Sequence, residues 1–163
     1  MNNVIFTILI GVGATALMDL WSLLRKQLLG LPITNWSIVG RWIAHMSHGQ
    51  FYHESIATSA PVRAEAFIGW VAHYLIGIAY GAMLIMIYGE TWINNPAIGQ
   101  AVLVGIVTVV APFFIMQPGM GAGIAASRTP NPNSARVHSL INHGVFGLGL
   151  YVSGLAINLG FTI

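Results

Sequence analysis

Residues 97–117 read AIGQAVLVGIVTVVAPFFIMQ and contain no charged side chain. The uncharged region extends beyond them, because no Asp, Glu, Lys or Arg lies between Glu90 and Arg128. A second uncharged region runs from Val137 to Ile163. A helix needs about 20 apolar residues to cross the hydrocarbon core of a bilayer. Both regions therefore predict helices that span a membrane.

The composition of the whole chain indicates the same class of protein. Of the 163 residues, 6% are charged and 56% are hydrophobic, and the mean hydropathy is +0.75, whereas soluble domains carry about 25% charged residues. The absence of cysteine excludes disulfides and thiolate metal sites. The net charge of +2 comes from too few groups to indicate nucleic-acid binding. The lipid bilayer is the partner that the composition predicts.

Four spans and one shorter helix account for the chain. The spans are predicted at about residues 4–24, 66–88, 97–117 and 139–159. Between the first two, apolar residues recur at helical spacing from Trp36, which predicts an amphipathic helix at about 36–48, lying at the membrane interface. The predicted fold is all-α, a four-helix transmembrane bundle forming a single domain over residues 1–163.

The basic residues predict the orientation of the bundle. With four spans, all six fall on one side of the membrane, namely Arg25, Lys26, Arg41, Arg63, Arg128 and Arg136. The positive-inside rule then makes both large loops cytoplasmic and leaves both termini outside. At the opposite end of the second span, Tyr88 and Trp92 are typical of aromatic anchors at a membrane surface.

Proline and glycine interrupt the apolar segments. Pro112 falls inside the third span and Pro118 ends it. In the last span Gly144, Gly147 and Gly154 predict the close approach of a neighbouring helix, because small residues allow helix backbones to pack tightly.

Three ionisable residues are predicted to share one level in the membrane. Asp19, His73 and His143 each lie roughly 9–12 Å inward from the nearest charged residue, at a rise of 1.5 Å per residue, and Gln117 joins them. Such groups cost at least ~2.5 kcal/mol in hydrocarbon and therefore find partners or a wet cavity. We expect Asp19 to contact His73, with His143 opposite. The alternative is structural, since intramembrane histidines also form hydrogen bonds between helices.

A second group of candidate ligands lies in the first large loop. His45 and His48 are three residues apart on the predicted helix, and His53 and Glu54 follow. Histidines at this spacing suit a shared metal ion, with a further His or Glu completing three or four ligands. The alternative is that these histidines only supply polarity to an interfacial helix.

The loop after the third span predicts an anion or lipid-headgroup site. Residues 119–123 contain three glycines whose backbone amides, together with Arg128, suit a bound anion. Arg136 and Arg41 are the other basic residues expected to neutralise it. A nucleotide phosphate loop is disfavoured, because these glycines follow a transmembrane helix rather than a strand.

Passages along nearly the whole chain resemble one family of small bacterial membrane proteins, that of domain of unknown function 2938. The residues are Gly13-Ala14-Thr15 with Met18-Asp19, Gly40-Arg41-Trp42 with His45, Gly49 with Phe51, Gly69-Trp70 with His73-Tyr74, Gln117-Pro118-Gly119, Ala126-Ser127-Arg128-Thr129-Pro130, Ser139-Leu140 with His143, and Gly147 with Gly149-Leu150-Tyr151. The resemblance implies a bacterial cytoplasmic membrane and no particular activity.

The sequence leaves three functional hypotheses open. The first is a cytoplasmic-side His/Asp site that binds a metal ion, a haem or a small anionic ligand. The second is a small proton-coupled transporter working as a homodimer, with Asp19 and His73 as the coupling pair. The third is an accessory or scaffold membrane subunit. No residue pattern identifies a substrate or a reaction, so enzymatic activity is left undecided.

Overall fold

The computed structural model describes residues 2–161, and within them it contains helices and no strand. Five helices organise this part of the chain: α1 Asn3–Leu29, α2 Trp36–Met46, α3 Glu65–Asn94, α4 Ile98–Val107 and α5 Pro132–Phe161. Helix α4 is followed by a π-helical turn, Pro112–Met116, and a last turn, Gln117–Gly119; 3₁₀ turns form Ile56–Thr58 and Ile124–Ala126. The predicted domain also included Met1, Thr162 and Ile163, which lie outside the described residues.

Four helical segments are long and apolar enough to cross a membrane. They are Asn3–Leu29, Glu65–Asn94, Ile98–Gly119 and Pro132–Gly160. The all-α prediction with four long apolar helices is therefore confirmed, and a short helix, α2, occupies the predicted place.

The helices extend past the predicted span limits. Helix α1 continues to Leu29, and α5 begins at Pro132. The predictions stopped at charged residues, but Arg25, Lys26 and Arg136 are good helix formers. A helix does not have to end where its apolar segment ends.

Side chains and glycine define the helix ends. The Asn2 side chain accepts a hydrogen bond from Val4 N at 2.8 Å, and the Asn35 side chain accepts one from Ser37 N at 3.1 Å. These bonds satisfy donors that the first turn of a helix leaves unpaired. Helix α1 ends at Leu29, and the following Gly30 has a φ of 66°, in the left-handed region that glycine adopts without steric cost.

Two interruptions inside the apolar segments have local causes. Pro112 starts the π-helical turn, because proline has no backbone N–H and cannot continue the α-helical hydrogen-bond ladder. Gly89 lies within α3 with φ 64° and ψ −157°, which breaks the regular helix five residues before its end. Only glycine adopts this conformation without strain.

The chain forms two compact units. The first comprises the residues up to Ile33, Tyr74–Thr108 and the residues from Ile141. The second comprises Thr34–His73 and Val109–Leu140. The four predicted metal ligands, His45, His48, His53 and Glu54, all lie in the second unit.

The core of the first unit is built around Trp92. This side chain is 1% exposed, and its indole N–H donates to the Ala97 carbonyl at 3.2 Å. It makes an edge-to-face contact with Phe6, at 6.3 Å between ring centroids. Trp92 is therefore a core residue and not the surface anchor that its position predicted, because its ring packs against other helices instead of facing outward.

Glycines let the helices of the first unit approach closely. A Cβ at Gly147 would lie 2.7 Å from Val102 Cα, and one at Gly154 would lie 2.7 Å from Trp92 Cη2. A Cβ at Gly144 would meet no atom within 4 Å. Two of the three predicted packing glycines are thus confirmed, and the prediction for Gly144 is wrong because that side of α5 faces open space.

The outward surfaces of the long helices are apolar. Exposed side chains occur on each of the four long apolar segments, for example Leu23, Met86, Phe114 and Val152. Such a large exposed apolar surface is unusual in a soluble monomer and marks contact with another apolar phase.

Candidate functional site

The second unit holds two histidines side by side. His45 lies in the last turn of α2, and His53 lies in the loop that follows. Their ring centroids are 5.0 Å apart, with an interplanar angle of 49°. His53 is 4% exposed and His45 is half-buried. Two of the predicted ligands are therefore neighbours in a largely buried position.

The hydrogen bonds of each ring indicate which nitrogen carries the proton. His45 Nε2 lies 3.1 Å from the carbonyl oxygen of Ala60, which can only accept, so Nε2 is the donor. His53 Nδ1 lies 2.9 Å from Ser59 Oγ. The Ser59 hydroxyl already donates to the Ser55 carbonyl at 3.3 Å. The Gln50 side-chain nitrogen also lies near this Nδ1, but at 3.5 Å it is at the outer limit of a hydrogen bond. The shorter contact with Ser59 therefore decides the assignment, with His53 donating through Nδ1.

The other nitrogen of each ring has no partner. His45 Nδ1 and His53 Nε2 are both buried, and neither forms a hydrogen bond in the described chain. Each presents an unused lone pair, and leaving a buried polar atom unpaired costs about 1–3 kcal/mol. Metal-ligating histidines have this arrangement, with one ring nitrogen donating to a protein oxygen and the other free for the ion.

The surroundings of His53 favour its neutral form. Burial lowers the pKa of His53, the neighbouring His45 lowers it further, and a hydrogen bond to the Gln50 backbone acts in the opposite direction. Only the neutral imidazole ligates a metal. The effect of burial therefore keeps His53 competent for ligation at lower pH than an ordinary histidine.

The two other predicted metal ligands do not join this pair. His48 is exposed, with Nδ1 3.1 Å from Ser47 Oγ, and Glu54 is exposed. Across residues 2–161 no three or more His, Asp or Glu side chains are grouped closely enough to hold an ion. The structure thus gathers two of the four predicted ligands.

Gly119 and Gly121 lie close to the loop that carries His53. The backbone N–H of His53 donates to the Gly119 carbonyl at 2.9 Å. A Cβ at Gly119 would lie 2.7 Å from Trp42 Cζ2, and one at Gly121 would overlap the Glu54 backbone. Gly119 and Gly121 therefore allow close packing around His53, and they lie in the turn that was predicted to hold an anion.

Arg41, one of three arginines expected to bind an anion, is engaged within the protein. Its Nε donates to Glu65 Oε2 at 2.8 Å and its NH2 to Oε1 at 2.9 Å. Its NH1 donates to the Ser59 carbonyl at 3.0 Å. Because a carboxylate already balances its charge, Arg41 connects α2 to the start of α3. Glu65 was not predicted as a partner of Arg41, although an acidic residue at the start of a helix was an available signal.

The other two arginines also bind protein groups. Arg128 NH1 donates to the Tyr52 hydroxyl at 2.9 Å. Arg136 donates from Nε to the Ala125 carbonyl at 2.8 Å and from NH1 to Asn133 Oδ1 at 3.0 Å. These bonds join Arg128 to the loop that carries Tyr52, and Arg136 in α5 to the 3₁₀ turn Ile124–Ala126. An anion site at Arg128 and Arg136 stays a prediction.

In the first unit, Asp19 and His143 are held by hydroxyl groups. Tyr74 donates its hydroxyl to Asp19 Oδ2 at 3.1 Å. His143 Nδ1 lies 2.8 Å from Thr108 Oγ1, whose own hydrogen goes to the Gly105 carbonyl at 2.6 Å, so His143 is the donor. Neither hydroxyl was predicted. Both are polar groups in otherwise apolar segments, which was the available signal.

In the second unit, His73 lies among aromatic rings. It is 5% exposed and stacks on Trp36, with ring centroids 3.8 Å apart and an interplanar angle of 24°. Trp70 lies edge-on to it at 5.8 Å. Gln117, also in this unit, has its Oε1 buried without a partner. The predicted contact of Asp19 with His73, and a site shared with His143, stay predictions.

Comparison with known proteins identifies a family and nothing more specific. The family model described as "Protein of unknown function (DUF2938)" matches residues 8–157. No curated protein and no solved structure matches the chain. The family resemblance expected from the residues is confirmed, and its description assigns no activity.

Proposed function

The chain belongs to the DUF2938 family, and we propose that it is a four-span membrane protein that binds a transition-metal ion between His45 and His53. We place it in the bacterial cytoplasmic membrane, with both termini outside and the metal site on the cytoplasmic side. This orientation follows from the positive-inside rule. The residues between the first and second apolar segments carry Arg41 and Arg63, and those between the third and fourth carry Arg128.

One observation carries the metal proposal, namely two adjacent imidazoles that each have a buried ring nitrogen with an unused lone pair. The Ala60 carbonyl and the Ser59 hydroxyl accept from the opposite nitrogens, so each ring is oriented as in a metal site. A protein without a ligand here would bear the cost of two buried unpaired acceptors. An ion bound to both nitrogens removes that cost.

The spacing of the rings suits one ion. A zinc–nitrogen bond of about 2.1 Å would place an ion roughly 3.2 Å from each ring centroid. Two centroids 5.0 Å apart would then subtend an angle of roughly 100° at the ion, which is near the tetrahedral value.

The donor set indicates the class of metal. Imidazole nitrogen suits zinc, copper, iron and nickel, whereas calcium and magnesium require oxygen ligands. With nickel set aside, copper and zinc bind imidazole most strongly among the common divalent ions. We therefore propose copper or zinc. Two protein ligands leave coordination positions open to water or to a further ligand, which makes the bound ion exchangeable.

Metal binding to the purified full-length chain in detergent tests the proposal. Protein stripped with a chelator is dialysed against Zn²⁺ or Cu²⁺, and bound metal is measured by elemental analysis. We expect one ion per chain in the wild type and none in His45→Ala or His53→Ala. His48→Ala is the matched control, because this exposed histidine lies three residues from His45 and should keep full binding.

Two results would reject the metal proposal. One is substoichiometric metal in the wild type, and the other is equal binding by the wild type and both histidine variants. Either would leave the homodimeric transporter and the accessory subunit as the hypotheses to pursue.

A further inference from the structure

Arg25 is a buried arginine whose Nε has no hydrogen-bond partner among residues 2–161. It lies in α1, four residues before the helix ends, and is 7% exposed. Its Nε is buried without a hydrogen-bond partner. Within residues 2–161 its guanidinium forms no salt bridge, since the pair found there joins Arg41 and Glu65. A buried charge in such a position normally has a partner.

A second unused donor lies one helical turn away. The Trp21 indole Nε1 is buried and also has no hydrogen-bond partner. The Arg25 guanidinium carbon lies 5.9 Å from the centroid of the Trp21 ring, so the two side chains are neighbours on one side of α1. A cation–π contact of this kind satisfies part of the charge. It leaves the Arg25 Nε–H and the Trp21 Nε1–H without hydrogen-bond acceptors.

The end of the helix does not supply that acceptor. The negative end of the α1 dipole favours a cation in the last turn, but Arg25 does not donate to any of the carbonyls there. The adjacent Lys26 is exposed and can be hydrated. Arg25 Nε and Trp21 Nε1 are therefore two neighbouring donors without an acceptor among the described residues, and an anion with several oxygens could accept from both.

We propose that Arg25 and Trp21 bind a phosphate group. The planar guanidinium presents paired N–H donors that match phosphate oxygens, and the indole N–H adds a third donor. If α1 spans the bilayer as proposed, Arg25 lies about 6 Å from the end of the helix, at a level where lipid phosphates are found. The phosphate of a phospholipid headgroup and free inorganic phosphate share this chemistry, and the experiment distinguishes them.

This site is independent of the metal proposal. Arg25 and Trp21 belong to the first unit, whereas His45 and His53 belong to the second. None of the three arginines predicted for anion binding takes part. Those three, Arg41, Arg128 and Arg136, donate to protein oxygens instead.

Native mass spectrometry of the detergent-purified full-length chain provides the test. The protein is incubated with phosphatidylglycerol, with a galactosyl diacylglycerol that lacks phosphate, or with inorganic phosphate. We expect phosphatidylglycerol to bind the wild type and Arg25→Gln to lower its affinity about tenfold or more, as for a lost charged hydrogen bond. Trp21→Phe keeps the ring, removes one neutral donor and should lower the affinity a few-fold. Lys26→Gln removes the same charge from the adjacent exposed residue and should leave affinity unchanged.

The outcomes separate the sources of phosphate and the alternatives. Retention of phosphatidylglycerol without competition from inorganic phosphate supports a lipid headgroup, and effective competition supports free phosphate. Equal binding of the phosphate-free lipid would overturn the proposal, as would equal losses in Arg25→Gln and Lys26→Gln. If Arg25→Gln does not fold, the comparison of Trp21→Phe with Lys26→Gln decides, and equal affinities for those two variants would overturn the proposal.

Discussion

Arg41 and Glu65 form a two-point ion pair, with Nε 2.8 Å from Oε2 and NH2 2.9 Å from Oε1. The pair joins α2, which carries His45, to the first turn of α3. Arg41 also donates to the Ser59 carbonyl, and Ser59 in turn contacts His53. The ion pair therefore supports both histidines of the proposed metal site.

We predict that Arg41→Gln lowers both thermal stability and metal affinity. A neutral amide cannot reproduce the two-point contact, so Glu65 would lose its charge partner and the loop around Ser59 would loosen. The melting temperature in detergent should fall by several degrees, and bound zinc should decrease. Arg63→Gln, a change at an exposed arginine, should alter neither quantity. Equal effects of the two variants would contradict the role given to the ion pair.

Two glycines three residues apart on α5 should respond in opposite directions to the same substitution. In Gly147→Ala the new Cβ would lie 2.7 Å from Val102 Cα and 2.8 Å from the Ala101 carbonyl oxygen. Backbone atoms cannot move aside easily, so we expect a loss of about 2 kcal/mol of unfolding free energy, as in other overpacked cores. Gly144→Ala meets open space and should stabilise α5 by about 0.8 kcal/mol. Unfolding with denaturing detergent measures both, and two changes of the same sign would refute this packing.

Thr108→Val tests the hydrogen bond to His143. Valine keeps the shape of threonine and removes Oγ1, which leaves the His143 Nδ1–H without its acceptor at 2.8 Å. We expect destabilisation of about 1 kcal/mol. Thr7→Val removes an exposed hydroxyl that bonds only to the Asn3 carbonyl of its own helix, and should cost less. A double-mutant cycle with His143→Leu should show coupling, and strictly additive effects would contradict the contact.

The depressed pKa of His53 makes the stability of the metal-free protein depend on pH. Below the ordinary histidine value of 6.5, the unfolded chain binds a proton that the folded chain does not, so acid favours unfolding. The free energy of unfolding starts to decrease as pH falls through 6.5, and it stops decreasing below the lowered pKa that His53 has in the folded protein. Above 6.5 the contribution is absent. His53→Gln should flatten the curve of unfolding free energy between pH 7 and pH 5, whereas His48→Gln should not; a curve unchanged by His53→Gln would contradict the prediction.

The helices were predictable from local sequence, but their ends were not. Long uncharged segments mark bilayer-length helices because no other backbone structure satisfies its hydrogen bonds in hydrocarbon, apart from closed barrels. Hydropathy does not report where helical hydrogen bonding stops, so the segment of α1 beyond Leu24 and that of α5 before Ser139 were missed. The predictions for Gly144 and Trp92 were wrong for a related reason. Composition does not reveal which side of a helix packs against a neighbouring helix.

The site was predictable as a set of residue types but not as a geometry. The spacing of His45, His48 and His53 indicated candidate metal ligands. Which two would meet depended on the loop folding back, so that Ala60 and Ser59 reach the rings. That fold in turn needs backbone pairing of His53 with Gly119, a contact between residues far apart in the chain. Local periodicity carries no information about such contacts.

X-ray absorption at the zinc edge of the zinc-loaded full-length chain tests the metal site most directly. The predicted result is nitrogen scatterers at about 2.0–2.1 Å with the scattering pattern of two imidazoles in the wild type, and no bound zinc in His45→Ala or His53→Ala. A first shell of oxygen alone, or a wild-type spectrum that neither substitution changes, would contradict it.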